Sequence, residues 1–187
     1  TDEFEAGREA VRRFLNAGST REIIFTRGTT ESMNLVASSW GGAHVGPGDE
    51  IVVSALEHHA NFVPWQQLAL RTGATLRIVE LTPTQTIDLD MLRDVVGART
   101  KIVAITHVSN AVGSITPLHD VVRIVRARSA AVIAVMMVFF ALITMIGSVG
   151  RSFLMRGMTI SQNSTPPQFA SNCFSSSVVR YGASRPR

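Results

Sequence analysis

Lysine is nearly absent from this chain: Lys101 stands alone among 187 residues, and the net charge of +4 is built from arginine. No basic run is dense enough to track a phosphate backbone. Aromatic residues, at 6%, do not interleave with the arginines as a single-strand groove requires, so nucleic acid is excluded as an expected partner. Cysteine is equally scarce. A single Cys173 excludes an intrachain disulfide and a thiolate zinc site, and points weakly to a reducing compartment. The five histidines lack the His-Glu-x-x-His spacing of a zinc helix, and no metal is expected. No signal peptide opens the chain, and Thr1 in place of methionine suggests an incomplete N-terminus.

What is present is apolar sequence: 45% hydrophobic residues over this length are enough for one sizeable core, so one domain is the default. Runs rich in Ile and Val predict strands near 22–26, 50–54, 75–80 and 101–106. Helical patterns separate them. The first covers Asp2 to Asn16, where Phe4, Val11, Phe14 and Leu15 can share a face and Gly18 follows the end. Others cover Ser32 to Trp40, Phe62 to Arg71 with Pro64 in its first turn, Asp88 to Val96 with Asp88 as N-cap, and Leu118 to Arg128. This alternation predicts an α/β protein with a mainly parallel sheet covered on both faces.

Three segments follow strands and carry chemistry. Arg27-Gly28-Thr29-Thr30-Glu31 opens a helix, where unpaired N–H groups and a partial positive charge favour a phosphate; Gly28 permits close approach, and Thr29 and Thr30 offer hydroxyls. An ordinary capped turn would read the same way in isolation. The second is Leu56-Glu57-His58-His59-Ala60-Asn61-Phe62-Val63-Pro64-Trp65-Gln66, and the third Thr106-His107-Val108-Ser109-Asn110. All three fall at carboxyl ends of predicted strands, where open α/β sheets bind ligands. Neighbours on a strand end point to opposite sides, so only one of His58 and His59 is expected to face a ligand. His44 and His119 read as surface residues, and His107 as a satisfied, half-buried one. Glu57 and Asp49 are residue types suited to an acid–base pair, but their context gives no support for one.

In this order and spacing, with Arg12-Arg13-Phe14, Pro47-Gly48-Asp49-Glu50 and Arg99-Thr100-Lys101, residues 1–128 resemble the SufS-like cysteine desulfurases of the class V aminotransferase family. The resemblance implies a fragment of a three-layer α/β/α large domain, fold type I of the pyridoxal-phosphate enzymes, whose mostly parallel sheet carries one antiparallel strand. It implies pyridoxal 5'-phosphate as cofactor, with Thr29 and Thr30 at the phosphate. His58 would stack on the ring with a possible part in proton transfer, and Asn110 would lie at the phenolic oxygen. L-cysteine as substrate, a sulfur-acceptor protein, supply of sulfur to iron–sulfur clusters, a homodimer and a cytoplasmic location are implied in the same way. A selenocysteine lyase would share every motif, and a non-catalytic fragment docking on an intact subunit is a further alternative.

Beyond about Arg128 the family pattern fails. The Schiff-base lysine after Ser-Gly-His and the Asp-Gly-Ala-Gln that pairs with the pyridine nitrogen do not occur. Lys101 matches a non-catalytic family position, and the neighbours of Cys173 do not match the desulfurase cysteine loop. The chain is therefore expected to be inactive alone. Residues 129–187 begin with the uncharged run Ala130 to Gly147, open to three readings: a shifted reading frame, which is preferred, a membrane-anchoring helix, held unlikely, or a buried helix. The serine-rich tail Ser161 to Arg187 is expected to be disordered.

Overall fold

The computed structural model describes residues 1–127 together with strands at 131–138, 141–147 and 177–180. Its strands are β1 (Ile23–Thr26), β2 (Glu50–Ser54), β3 (Thr75–Val79), β4 (Thr100–Thr106), β5 (Ala131–Val138), β6 (Ala141–Gly147) and β7 (Ser177–Arg180). The helices are α1 (Asp2–Phe14), α2 (Thr29–Val36), α3 (Gly42–His44), α4 (Val63–Thr72), α5 (Leu89–Val95) and α6 (Leu118–Arg126). A wide turn, Ala37–Gly41, joins α2 to α3, and a 3₁₀ turn, His59–Asn61, leads into α4.

The strands form one sheet in the order β1-β7-β6-β5-β4-β2-β3. β3, β2, β4 and β5 pair in parallel; β5 with β6 and β7 with β1 are antiparallel, while β6 and β7 are parallel to each other. It follows that β1 runs with β2 and β4, and that their carboxyl ends share one edge of the sheet. Two strands, rather than the single one implied by resemblance, run against the rest.

Alternation along the central strands builds the layers. Ile51, Val53, Ile102 and Ala104 face Met33 and Val36 of α2 and Trp65 and Leu68 of α4. Val52, Val103 and Ile105 point the other way, against Leu92 of α5 and Val121, Ile124 and Val125 of α6. A strand buried on both faces has no polar side to show, which is why β2 and β4 read as continuous apolar runs.

The apolar run at 130–147 is neither of the helices considered from sequence. It forms β5 and β6, two strands with only two residues between them. Such a connection can close only an antiparallel pair, because parallel neighbours need a crossover of roughly a dozen residues; its Val- and Ile-rich composition suits strands. Among the described residues no helix is long and apolar enough to cross a membrane. Within the tail expected to be disordered, Ser177–Arg180 is strand β7, paired with β1; the remainder lies outside the described residues.

α1 also departs from expectation. It ends at Phe14 through Asn16, whose φ of 49° is a left-handed conformation that asparagine tolerates, so Gly18 plays no part in the stop. Its apolar face is divided: Val11 and Leu15 join Ala17, Ile23 and Phe25 in a small core cluster, whereas Phe4 and Phe14 are 53% and 65% exposed, Phe4 lying edge-on to Phe25 at 5.2 Å. Arg8 lies over both of those rings and donates to the Ile23 carbonyl.

Candidate functional site

The first turn of α2 is tied to the end of β1 and carries no side-chain cap. Thr26 Oγ1 and Ser32 Oγ, 2.6 Å apart, tie the end of β1 to the helix, and both hydroxyls also lie 3.3 Å from the Gly28 carbonyl. Gly28 is the N-cap and offers no side chain, so the N–H groups of Thr29, Thr30 and Glu31 have no partner among the described residues. The hydroxyls of Thr29 and Thr30 are equally unengaged among them. Gly28 itself is extended at φ 172°, a conformation open to any residue, and a Cβ there would stand in open space. Its value is thus the clearance over the helix end. Glu31 already reaches back to the Arg27 N–H at 2.7 Å, and this bond holds its carboxyl below the usual range.

His58 caps the 3₁₀ turn. Its Nδ1 accepts from the Ala60 N–H at 3.1 Å, which leaves the proton of the neutral ring on Nε2. The alternation expected of His58 and His59 does not hold: β2 ends at Ser54, so neither residue is in a strand. The two exposed rings stand edge to face, 5.9 Å apart.

Asn110 is exposed on the loop after β4. Ser109, buried beneath it, accepts from the N–H groups of Ala111 and Val112, and Gly113 closes the turn at φ +71°, where a side chain would be strained. The loop returns through a bridge between Val108 and Ile115. Its buried side is incompletely satisfied: His107 Nδ1, Ser114 Oγ and Thr116 Oγ1 have no partner among the described residues. His107 is therefore half-buried, as expected, but not satisfied, and burial holds its pKa below the ordinary value.

These segments share the carboxyl edge of the sheet, and the 3₁₀ turn after His58 packs against α2 and β4. Thr29, Thr30, His58 and Asn110 are not hydrogen-bonded to one another among the described residues.

The opposite edge is ionic. Buried Glu50 takes Arg77 and Arg99 at 3.2 and 3.0 Å, and Lys101 lies 3.7 Å from Asp49. From Lys101 to the far end of β4 is five residues, about 17 Å at strand rise. Asp49 and Glu57 are separated by the length of β2 and cannot pair as acid and base.

Glu57, weighed from sequence only as an acid–base partner of Asp49 and set aside, is the residue whose surroundings sequence reasoning missed. Its Oε1 accepts from the Ser54 hydroxyl at 2.5 Å and the Thr106 N–H at 2.7 Å, and its Oε2 from Asn61 Nδ2 at 2.6 Å. Asn61 Oδ1 in turn accepts from the Trp65 indole at 2.9 Å. Desolvation pushes the Glu57 carboxyl up to about 7 against the pull of those bonds. The spacing of four between Glu57, Asn61 and Trp65 was the available signal, although only Trp65 lies in an α-helix: Glu57 precedes the 3₁₀ turn and Asn61 ends it.

The family described as aminotransferase class-V matches residues 1–138, ten residues past the end of the motif resemblance. The chain belongs to that family. Among curated class V relatives it is 52% identical over 133 residues to a cysteine desulfurase of Synechococcus elongatus, covering 71% of this chain and 21% of that one. It is 50% identical over 130 residues to a probable cysteine desulfurase of Halalkalibacterium halodurans, covering 70% and 32%. Among solved structures, the cysteine desulfurase CsdA of Escherichia coli superposes with a TM-score of 0.66 at 38% identity, covering 70% of this chain and 33% of that one. The apo cysteine desulfurase of Thermococcus onnurineus gives 0.67 at 35%, covering 72% and 33%. The chain thus spans a fifth to a third of the length of the relatives it matches.

Proposed function

We propose that this chain carries the phosphate- and ring-facing half of a cysteine desulfurase site and does not complete that site alone. One observation supports this above the others. Thr29, Thr30, His58 and Asn110 all lie on the carboxyl edge of the sheet, while the sole lysine lies on the amino edge, held by Asp49.

The residues present suit pyridoxal 5'-phosphate in part. The uncapped start of α2 and the unengaged hydroxyls of Thr29 and Thr30 would hold its phosphate, and the clearance at Gly28 admits it. His58 would lie on the ring face and, through Nε2, could pass a proton to or from the substrate. Asn110 would donate to the phenolic oxygen without adding charge. When bound, the cofactor supplies an electron sink for bond changes at the substrate.

The overall reaction converts L-cysteine to L-alanine and leaves its sulfur as a persulfide on a cysteine thiolate, for a protein acceptor in iron–sulfur cluster supply. Homodimer formation and a cytoplasmic setting belong to the same reading. Residues 1–138, as far as the family match runs, would form the functional part, with the sequence after them the product of a shifted frame. Cys173 lies outside the described residues and is given no role.

Titration of the purified 187-residue chain with pyridoxal 5'-phosphate should give reversible binding without a borohydride-fixable visible band at Lys101, and no alanine from L-cysteine. A band abolished by Lys101→Ala, together with alanine release, would overturn the reading. If Thr29→Ala/Thr30→Ala binds the cofactor as tightly as the unaltered chain does, the phosphate assignment fails.

A further inference from the structure

We infer that Glu57 is a positioning residue for His58: its carboxylate pins the turn that carries the imidazole to the ends of β2 and β4 and to the first turns of α4. The inference rests on the cofactor-site reading only for its purpose, not for its geometry.

The β2–β4 ladder ends at the pair Val53 and Ala104. Two residues further on, the N–H of Thr106 has no strand on that side to bond to, and the Glu57 carboxylate takes its place. The same carboxylate gathers the Ser54 hydroxyl at the end of β2 and the amide of Asn61, which is buried and anchored by the wholly buried Trp65. One side chain thus joins three elements, its own longest reach being the 49 residues from Glu57 to Thr106.

His58 sits inside this clamp. Its carbonyl accepts from the Asn61 N–H at 2.8 Å, and its ring nitrogen from the Ala60 N–H, so the imidazole moves as the turn moves. No bond from the ring reaches the sheet among the described residues; Glu57 and Asn61 make that connection.

In its ionised form the carboxylate has donors on all three sides, from Ser54, Asn61 and Thr106. That makes glutamine a sharp substitution despite its matching shape. If its carbonyl serves Thr106 and Ser54, its NH₂ faces the Asn61 amide. Asn61 must then turn over to accept, and the Trp65 indole loses its acceptor.

The test is NMR of the full chain with labelled Trp and His side chains, comparing the unaltered protein with Glu57→Gln. The chain has two tryptophans, so Trp40, stacked on His44 and hydrogen-bonded to no member of the network among the described residues, serves as the internal control. The expected result is a shifted Trp65 indole signal and a displaced or doubled His58 ring signal, with Trp40 unchanged. A Trp65 shift with an unmoved His58 signal would make Glu57 a structural tie only and overturn the inference. Should Glu57→Gln not fold, Ser54→Ala removes one donor and is read the same way, an unmoved His58 signal again counting against the proposal. Pyridoxal 5'-phosphate affinity forms a separate arm. If Glu57→Gln displaces His58 but His58→Ala leaves affinity untouched, the cofactor reading fails while positioning stands. If both variants weaken binding to a similar degree, both hold.

Discussion

A carboxyl group whose pKa is raised by burial makes a protein less stable as pH rises, the reverse of the usual acidic residue. Glu57 is such a group. Its folded-state value of about 7 lies above the 4.5 of an unburied glutamate, so between those values the folded protein holds a proton that the unfolded chain has released. Below the lower value both states are protonated and nothing is lost; above the upper one the loss is complete. The difference amounts to about 3 kcal/mol. Urea midpoints measured from pH 4 to pH 8 should fall across this window, and Glu57→Gln should flatten that fall. A rising profile in both proteins would contradict the assignment. Individual residues were the least legible level of the sequence. Motif spacing picked out His58 and Asn110 because they stand in recognisable strings, whereas Glu57 stands in the same string and was set aside. Its partners Ser54 and Thr106 come from two strands, and only folding brings them together.

At the level of elements, the boundaries that local chemistry dictates were the readable ones. Asp88 was expected as an N-cap and is one, its Oδ1 accepting from the N–H groups of Asp90 and Met91 at 2.9 Å each. Asp88→Ala should lower stability by about 1 kcal/mol, measured by thermal or urea unfolding. Asp88→Asn should recover most of that loss if the cap bond is its source. Elements set by tertiary pairing were harder to read. An uncharged run of 18 residues has the length of a spanning helix, and nothing within it signals that residues 139 and 140 separate two paired strands. α1 shows the converse: its pattern called for a buried stripe, and Val11 and Leu15 do pack with Ile23 of the edge strand β1, but Phe14 stays open.

For the whole molecule, alternating strands and helices were enough to give a parallel sheet between two helical layers, since no other packing buries continuous apolar strands on both faces. The two cores are separate, one under α2 and α4 and the other under α5 and α6, so substitutions in them should not couple. Ile51→Val and Ile105→Val lie in opposite cores, and each should cost roughly 0.5–1.5 kcal/mol. In the double variant the losses should add to within about 0.5 kcal/mol. A larger coupling would mean that the sheet transmits packing strain from one layer to the other. The order of strands beyond β4 lay outside what alternation could specify, because it depends on short and long connections that no local pattern encodes.

The isolation of Lys101 on the ionic edge has a practical consequence. Apart from the α-amino group, it is the only amine that an acylating reagent can modify, and its side chain is 43% exposed. A dye or a surface attached there would sit at the far edge from Thr29, His58 and Asn110. The protein could thus be tethered in one orientation, with the carboxyl edge of its sheet turned toward solution.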